Sequence, residues 1–540
     1  MKRIILIFTV CFLVWGCKKT TATIQQLSNY NITVKLDTAY LSLNCMMQVD
    51  WFNSSDSIIN KIPFTFKLDS AKTLVKDITI NKKIQNFTYT SKETNGFEGF
   101  IVYLSEPVAA NENVNIQINF SSKQNEYFRE KMLLFENDFP LIQHFNGEIF
   151  NPYFKVHSDF QVEITYPQEF NIAVTGLIET TDTIDNYIKN HTTIKSVPSF
   201  GFVLLKDIKL KEDSTSGVLI RSFYFEDDSK WGEKLLEYSK NIIAFYKDTI
   251  GFYPQPVLTI IPGYSKPYGG WPVCPNIVGI HRGIDSKKEK AETHAHWVMS
   301  HEIGHQYWGY NYILEPINYP QWFGIGMGIH TDRLYAIKNI PEFNHSKYFS
   351  RSYLKAMQKG YNTTIMQTVD TLNKQGFDWN NSIKHNKAFY VLQMLAYEIG
   401  EDAFYEIFKY CLDNYKGVNV TLEMFKNTCE TISKQNLDEF FHTWFFTNNY
   451  LEYQIDSVIT TKNSNQFQNE IKIRKIGTAN ISSIVAEIEL AGNEKIKTQF
   501  DGNKQTETLK IVTEKPIEKI ILDPELKLLL VNRKDWNRNN

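Results

Sequence analysis

The sequence predicts a multi-domain α+β protein built as three successive bodies: a β body, a mostly helical body and a second β body. Three observations carry this. Apolar residues alternate with polar ones, the period of a half-buried strand, from Asn31 to about Thr215. From Lys230 they recur at helical spacing, and from Tyr453 the strand period returns. With 540 residues the chain also exceeds what one hydrophobic core organises, since domains run to roughly 150 residues. The 42% hydrophobic, 22% charged and 14% aromatic residues are those of a globular protein, not of a long disordered chain. Lys and Arg number 58 against 60 Asp and Glu, a net charge of −2, so no strongly basic surface is implied and nucleic acid is not an expected partner. No internal run of about 18 apolar residues is present to span a bilayer.

The chain opens with Lys2 and Arg3, an apolar run from Ile4 to Trp15, then Gly16, Cys17, Lys18 and Lys19. A positive start before a run too short to span is the anatomy of a secretory signal; a buried N-terminal strand or helix is the alternative. Leu13 to Cys17 resembles a bacterial lipobox, with cleavage before Cys17 and a lipid on its thiol, although Trp15 is untypical there. Residues 1–16 are therefore expected as signal peptide and 17–29 as a lipidated tether to a membrane. The expected location is the bacterial cell envelope, at the outer membrane.

Residues 30–215 read as the N-terminal β domain, of sandwich or saddle type. Ile32, Val34 and Leu36, then Phe64, Phe66 and Leu68, then Val114, Ile116, Ile118 and Phe120 alternate with polar residues, and clusters such as Asn95-Gly96 supply turns. Residues 216–450 form the helical body. Trp231, Leu235, Leu236, Tyr238, Ile242, Ile243 and Phe245 share one helix face, and further helices are expected over Phe389 to Ile399, Asp402 to Leu412 and Leu437 to Phe446. Residues 451–540 return to strands through Ile471, Ile473, Val485, Ile488, Leu490, Leu509, Ile511, Ile520 and Leu522. Beyond Cys11 and Cys17, the cysteines Cys45, Cys274, Cys411 and Cys429 are too scattered for a disulfide scaffold. Cys411 and Cys429 are close enough in sequence for one clip, and are equally readable as core residues.

His301-Glu302-Ile303-Gly304-His305 is an HExxH motif on a helix predicted from about Ala291 to Tyr310. Residues i and i+4 share a helix face, so both imidazoles can reach one ion. Glu302 would stand beside that ion as general base for a water that the metal makes nucleophilic near neutral pH, which is what peptide hydrolysis requires. Two ordinary histidines on a surface or core helix are the plainer alternative.

The flanks carry a family resemblance. His301 to Gly309 reads HEIGHQYWG, which resembles the HExxHQWFG block of the gluzincin zinc aminopeptidases, membrane alanyl aminopeptidase and its relatives. Gly251-Phe252-Tyr253-Pro254, the Lys387 to Leu395 segment and Leu437 to Trp444 are similar to further landmarks of that family. Tyr30 to Asp37 and Asn151-Pro152-Tyr153 resemble landmarks of its N-terminal β domain. The resemblance spans nearly the whole chain after the tether. It implies an N-terminal β-saddle, a thermolysin-like catalytic domain, a C-terminal β-sandwich, one zinc ion and a peptide substrate, without the helical solenoid that ends larger members.

Three positions depart from the family pattern. The third zinc ligand of the family is a Glu about twenty residues after the second His; Ile325 occupies its place and cannot donate a lone pair. Two neutral imidazoles would leave the site at higher charge and zinc more weakly held. Glu315 matches a glutamate that the family carries as a non-ligand. His330 lies about 140° round a helix from Ile325, while Asp332 and His294 stand roughly 10 Å along the axis from the positions they would need. None is a convincing substitute. The glutamate that holds a substrate's free amine in the family corresponds to Pro272, so recognition of an N-terminal amine is unsupported. The oxyanion-donating Tyr of the family corresponds to His385, which can supply an N–H, or is a polar residue at a helix start.

Two readings follow. The first is a zinc metallopeptidase-like lipoprotein in which His301 and His305 hold one weakly bound zinc ion, Glu302 is the base and His385 the oxyanion donor, with water or an unforeseen residue as third ligand. The second is a catalytically impaired pseudopeptidase, an envelope-tethered peptide-binding or structural protein. In both, the expected partners are a peptide and, through Cys17, a membrane.

Overall fold

The computed structural model describes residues 28–37, 41–66, 73–123, 131–136, 139–145, 150–263, 269–281, 289–374, 376, 381–463 and 466–538. The signal segment, Cys17, most of the tether and Leu68 lie outside the described residues. The fold is α+β, with a β-rich N-terminal region, a central helical region and C-terminal strands.

The alternation read from the sequence builds an eight-stranded N-terminal sheet. Its spatial order is Leu177–Ile184, Tyr187–Val197, Ser158–Pro167, Ser28–Asp37, Ser42–Phe52, Asn113–Lys123, Thr73–Ile80 and Lys83–Ile84. Ile32 pairs with Met47 on one side and, in parallel, with Val162 on the other. Val34, Ile116, Ile118 and Phe120 are buried beneath it against Phe64 and Phe66 of a second, three-stranded sheet. A one-residue slip would turn every one of these side chains to solvent, which is why the pattern fixes the register.

A third small sheet, Phe170–Val174 with Gly201–Lys206 and Met132–Glu136, leads to the central region. There a five-stranded sheet runs Lys209–Thr215, Val218–Tyr224, Val257–Pro262, Ile277–Ile280 and, at its edge, Gly270–Cys274. The first two strands are one hairpin, in register from Lys209 with Tyr224 to Thr215 with Val218, so a boundary at 215/216 falls inside a hairpin. The Ser229–Ile250 helix covers this sheet with Leu235, Leu236, Ile242, Ile243 and Tyr246 and stops at Gly251, whose φ of 101° lets its N–H cap the Lys247 carbonyl.

The expected late helices are present as Ala388–Ile399, Glu401–Asn414 and Asp438–Phe441, the last continued by a π-helical turn at His442–Phe446; a π-helical turn at Ser382–Lys387 and a helix at Leu422–Ser433 were not expected. The C-terminal strands form two sheets, Tyr453–Asn463 with Gln466–Lys475 and Thr506–Thr513, and Glu494–Asp501 with Ser483–Leu490, Ile517–Leu522 and Trp536–Asn537. Their inner residues Ile471, Ile473, Ile484 and Ile488 join the hydrophobic core of the helical region. Gln393 reinforces that seam by donating to the Leu526 and Lys527 carbonyls. Cys411 and Cys429 are buried, unbridged core residues. Among the described residues, no helix is long and apolar enough to cross a membrane.

Candidate active site

The HExxH helix spans Glu289–Gly304, ending earlier than the Tyr310 expected from the sequence. Beyond it the bonds tighten from four-residue to three-residue spacing, Gln306 N–H to the Ile303 carbonyl and Tyr307 N–H to the Gly304 carbonyl. His305 still donates its N–H to the His301 carbonyl at 3.1 Å, so the two histidines keep their one-turn stacking. Gly309, at φ 77°, then reverses the chain against Gly324; a Cβ on Gly309 would stand 2.6 Å from the Gly324 Cα. Only two glycines permit this backbone contact, which presses the motif onto the start of the Trp322–Asn339 helix. Glu315 fixes that start by accepting from the Phe323 and Gly324 N–H groups, a carboxylate on a helix N-terminus and not a metal ligand.

His301, Glu302 and His305 are all buried. Two turns after Ile325, the same Trp322–Asn339 helix presents Asp332, fully buried. Its carboxylate accepts from His301 Nδ1 at 2.8 Å, His345 Nε2 at 2.5 Å and Trp297 Nε1 at 2.9 Å. Burial pushes Asp332 up, but the bonds from His301 and His345 outweigh it and hold the carboxyl below its ordinary value. Conversely, burial pushes His301 down, and the hydrogen bond and charge of Asp332 raise it above the ordinary imidazole value. With Nδ1 committed to Asp332, His301 presents Nε2 to His305 Nε2, 3.0 Å away. Two ligands of one ion can stand this close, because each Zn–N bond is about 2.0–2.1 Å.

Glu302 lies beside them under the edge strand Gly270–Cys274, where a Cβ on Gly270 would come within 2.7 Å of its Cγ. Its Oε2 has no hydrogen-bond partner among the described residues, and burial raises the carboxyl to about 7. His385 stands on the Ser382–Lys387 π turn with its ring 5.9 Å from that of His301. Burial, then the charges of Lys384 and His301, push it well below the ordinary value, so it is a neutral imidazole.

Ile325 is buried in the apolar core, one turn into its helix. Among the described residues no group of three His, Cys, Asp or Glu side chains could hold a metal ion. His301 and His305 stand close enough for two imidazoles to share one ion, and Ile325 brings no donor atom. His330 faces away, its ring against Phe389 and Phe404, and His294 packs on Trp297 and Tyr348. Asp332 is the functional residue that ligand-spacing arguments missed, as is His345. The signal was there in part: seven residues after Ile325 is two turns on the same face, the place for a carboxylate that orients a ligand instead of binding the ion.

A cavity of about 420 Å³ adjoins the motif, lined by Pro272, Gln306 and Tyr310 on one side and by residues of the N-terminal β region, including Lys155 and Phe139, on the other. Its size suits a small ligand or a peptide side chain. Tyr310 connects cavity and motif, its ring 4.9 Å from that of His305. No curated protein matches the chain. A family model described as the peptidase family M1 domain matches residues 280–444, a span holding the HExxH helix, the Asp332 helix and His385. Residues 280–444 thus match the peptidase family M1 domain, the family that the HEIGHQYWG block resembles.

Proposed function

We propose that the protein is a zinc metallopeptidase-like lipoprotein that hydrolyses peptide bonds without requiring a free N-terminal amine. The observation that carries this is the pair of Nε2 atoms 3.0 Å apart, with the unpartnered Glu302 carboxylate beside them. Peptidases of the M1 family are zinc-dependent. His301 and His305 would hold the ion, which when bound supplies the Lewis acidity that makes water nucleophilic near neutral pH.

The chain's own residues do the rest. Asp332 accepts from Nδ1 of His301, so that Nε2, which faces His305 Nε2, is the atom turned toward the ion. Glu302, raised to about 7, takes the proton of the attacking water and returns it to the leaving amine. His385, a neutral imidazole close to His301, donates an N–H to the developing oxyanion. Pro272 lines the cavity with hydrocarbon where the family's amine-binding carboxylate would stand, so blocked and free N-termini are equivalent.

The buried Ile325 favours a second reading, a catalytically impaired pseudopeptidase that binds peptides at the envelope without turning them over. Assay of N-acetylated and free peptides with wild type and Glu302→Gln separates the two. Zinc-dependent turnover lost in Glu302→Gln supports the peptidase; no turnover at saturating zinc supports the impaired form. Mass spectrometry of the mature N-terminus tests the lipid at Cys17, with an unmodified Met1 as the contrary result.

A further inference from the structure

The cavity beside the motif has a cation in its wall that the proposed hydrolysis does not use. Lys155 is fixed at its backbone by Asn419, which accepts from the Lys155 N–H at 3.0 Å and donates to its carbonyl at 2.7 Å. From that anchor the ammonium reaches the face of Tyr310, with Nζ 5.6 Å from the ring centroid. Among the described residues, the ammonium makes no hydrogen bond and no ion pair. Glu315 and Glu136 attract it from farther away, and Glu315 is already occupied by the N–H groups of Phe323 and Gly324. The ammonium is half-buried in the cavity wall with no acceptor of its own there, and its cation–π contact with Tyr310 contributes only about 0.5–2 kcal/mol. Such a group is placed for an anion that arrives with a ligand.

The rest of the lining agrees with this. Pro272 faces the same cavity and brings no acceptor for an amine, while Phe66, Phe97, Phe139 and Leu141 give it an apolar floor. Glu98, Glu136 and the exposed Lys92 complete the charged lining residues. Tyr310 touches both Lys155 and His305, so a group bound at the ammonium belongs to a peptide lying over the HExxH motif. We infer that Lys155 selects peptides that present a carboxylate to this cavity, from an acidic side chain or from a free C-terminus. The inference rests on the reading of the motif as a peptide site.

The test is calorimetric binding to the full chain carrying Glu302→Gln, so that no probe is consumed. Two pairs of N-acetylated peptides are compared: Glu against Gln in a C-terminally amidated peptide, and free acid against amide in an apolar one. One acid should bind at least about tenfold more tightly than its neutral partner, and the pair that discriminates identifies the source of the carboxylate. Lys155→Met should reduce that preference to less than about twofold, and Lys155→Arg should keep it; if Lys155→Met does not fold, Lys155→Gln takes its place. Equal binding of acid and neutral peptides, or a preference that survives Lys155→Met, overturns the inference and leaves the peptide site standing. Failure of all four peptides to bind a zinc-loaded protein overturns the peptide site and the inference with it.

Discussion

Replacing Ile325 by Glu puts a carboxylate at the position where the family resemblance expects a third ligand and this chain has hydrocarbon. The helix carrying it is already registered to the site. Asp332, two turns on, bonds His301 at 2.8 Å, and the close contact of Gly309 with Gly324 fixes the helix start. Ile325 is 2% exposed, so without metal a Glu there is a buried acid with no partner, costing about 3 kcal/mol of stability. Zinc at about 100 times its dissociation constant would return about 2.7 kcal/mol, nearly the whole loss. The expected result is a variant that melts well below wild type in chelator and close to it in zinc. Its zinc affinity, measured by competition with a chromogenic chelator, should be about 100-fold higher than that of wild type, and turnover of N-acetylated peptides should appear. If wild type already resists the chelator and Ile325→Glu neither destabilises the metal-free protein nor tightens zinc, the third ligand is elsewhere and the reasoning fails.

Three further expectations follow from particular contacts. Asp332→Ala leaves the His301, His345 and Trp297 donors buried without their acceptor, and should cost about 3–5 kcal/mol and weaken zinc about 10–100-fold, by denaturant melts and metal titration. His330 is buried between Phe389 and Phe404, and burial lowers it to about 3. Its unfolded form binds a proton from about pH 6.5 downward while the folded form does not, so its share of stability is lost as pH falls from there toward 3. His330→Leu should therefore recover about 2 kcal/mol at pH 5 relative to its effect at pH 8; an identical effect at both pH values contradicts the assignment. Cys411 and Cys429 are buried, with thiols raised above their ordinary value, so a thiol reagent should label them only on unfolding; rapid labelling of the native chain would be the contrary result.

The order of the three regions and the placing of His301 and His305 on one helix face were legible because each depends on a short-range period. The helix end was not. The continuation expected to Tyr310 is cut off after Gly304 by the Gly309 reversal against Gly324, and nothing near either glycine announces the other. Ile325 was singled out only by the family resemblance, and the reading of Glu315, His330 and His294 as non-ligands agrees with where they pack. The role of Asp332 was not legible. Read as a candidate ligand it stands too far along the helix, and only the packing of two helices turns it toward Nδ1 of His301. The neutrality of His385 depends likewise on burial and on Lys384, quantities that the fold creates.

The central claim is that two imidazoles, without a third protein ligand, hold the ion. Elemental analysis of the purified full-length chain during titration against chelators of graded strength tests it most directly, with wild type beside a His301→Ala, His305→Ala double variant. The result predicted is no more than one zinc per wild-type chain, removed by a mild chelator, and none in the double variant. Stoichiometric zinc retained by the double variant, or zinc in wild type that resists strong chelation, would contradict it.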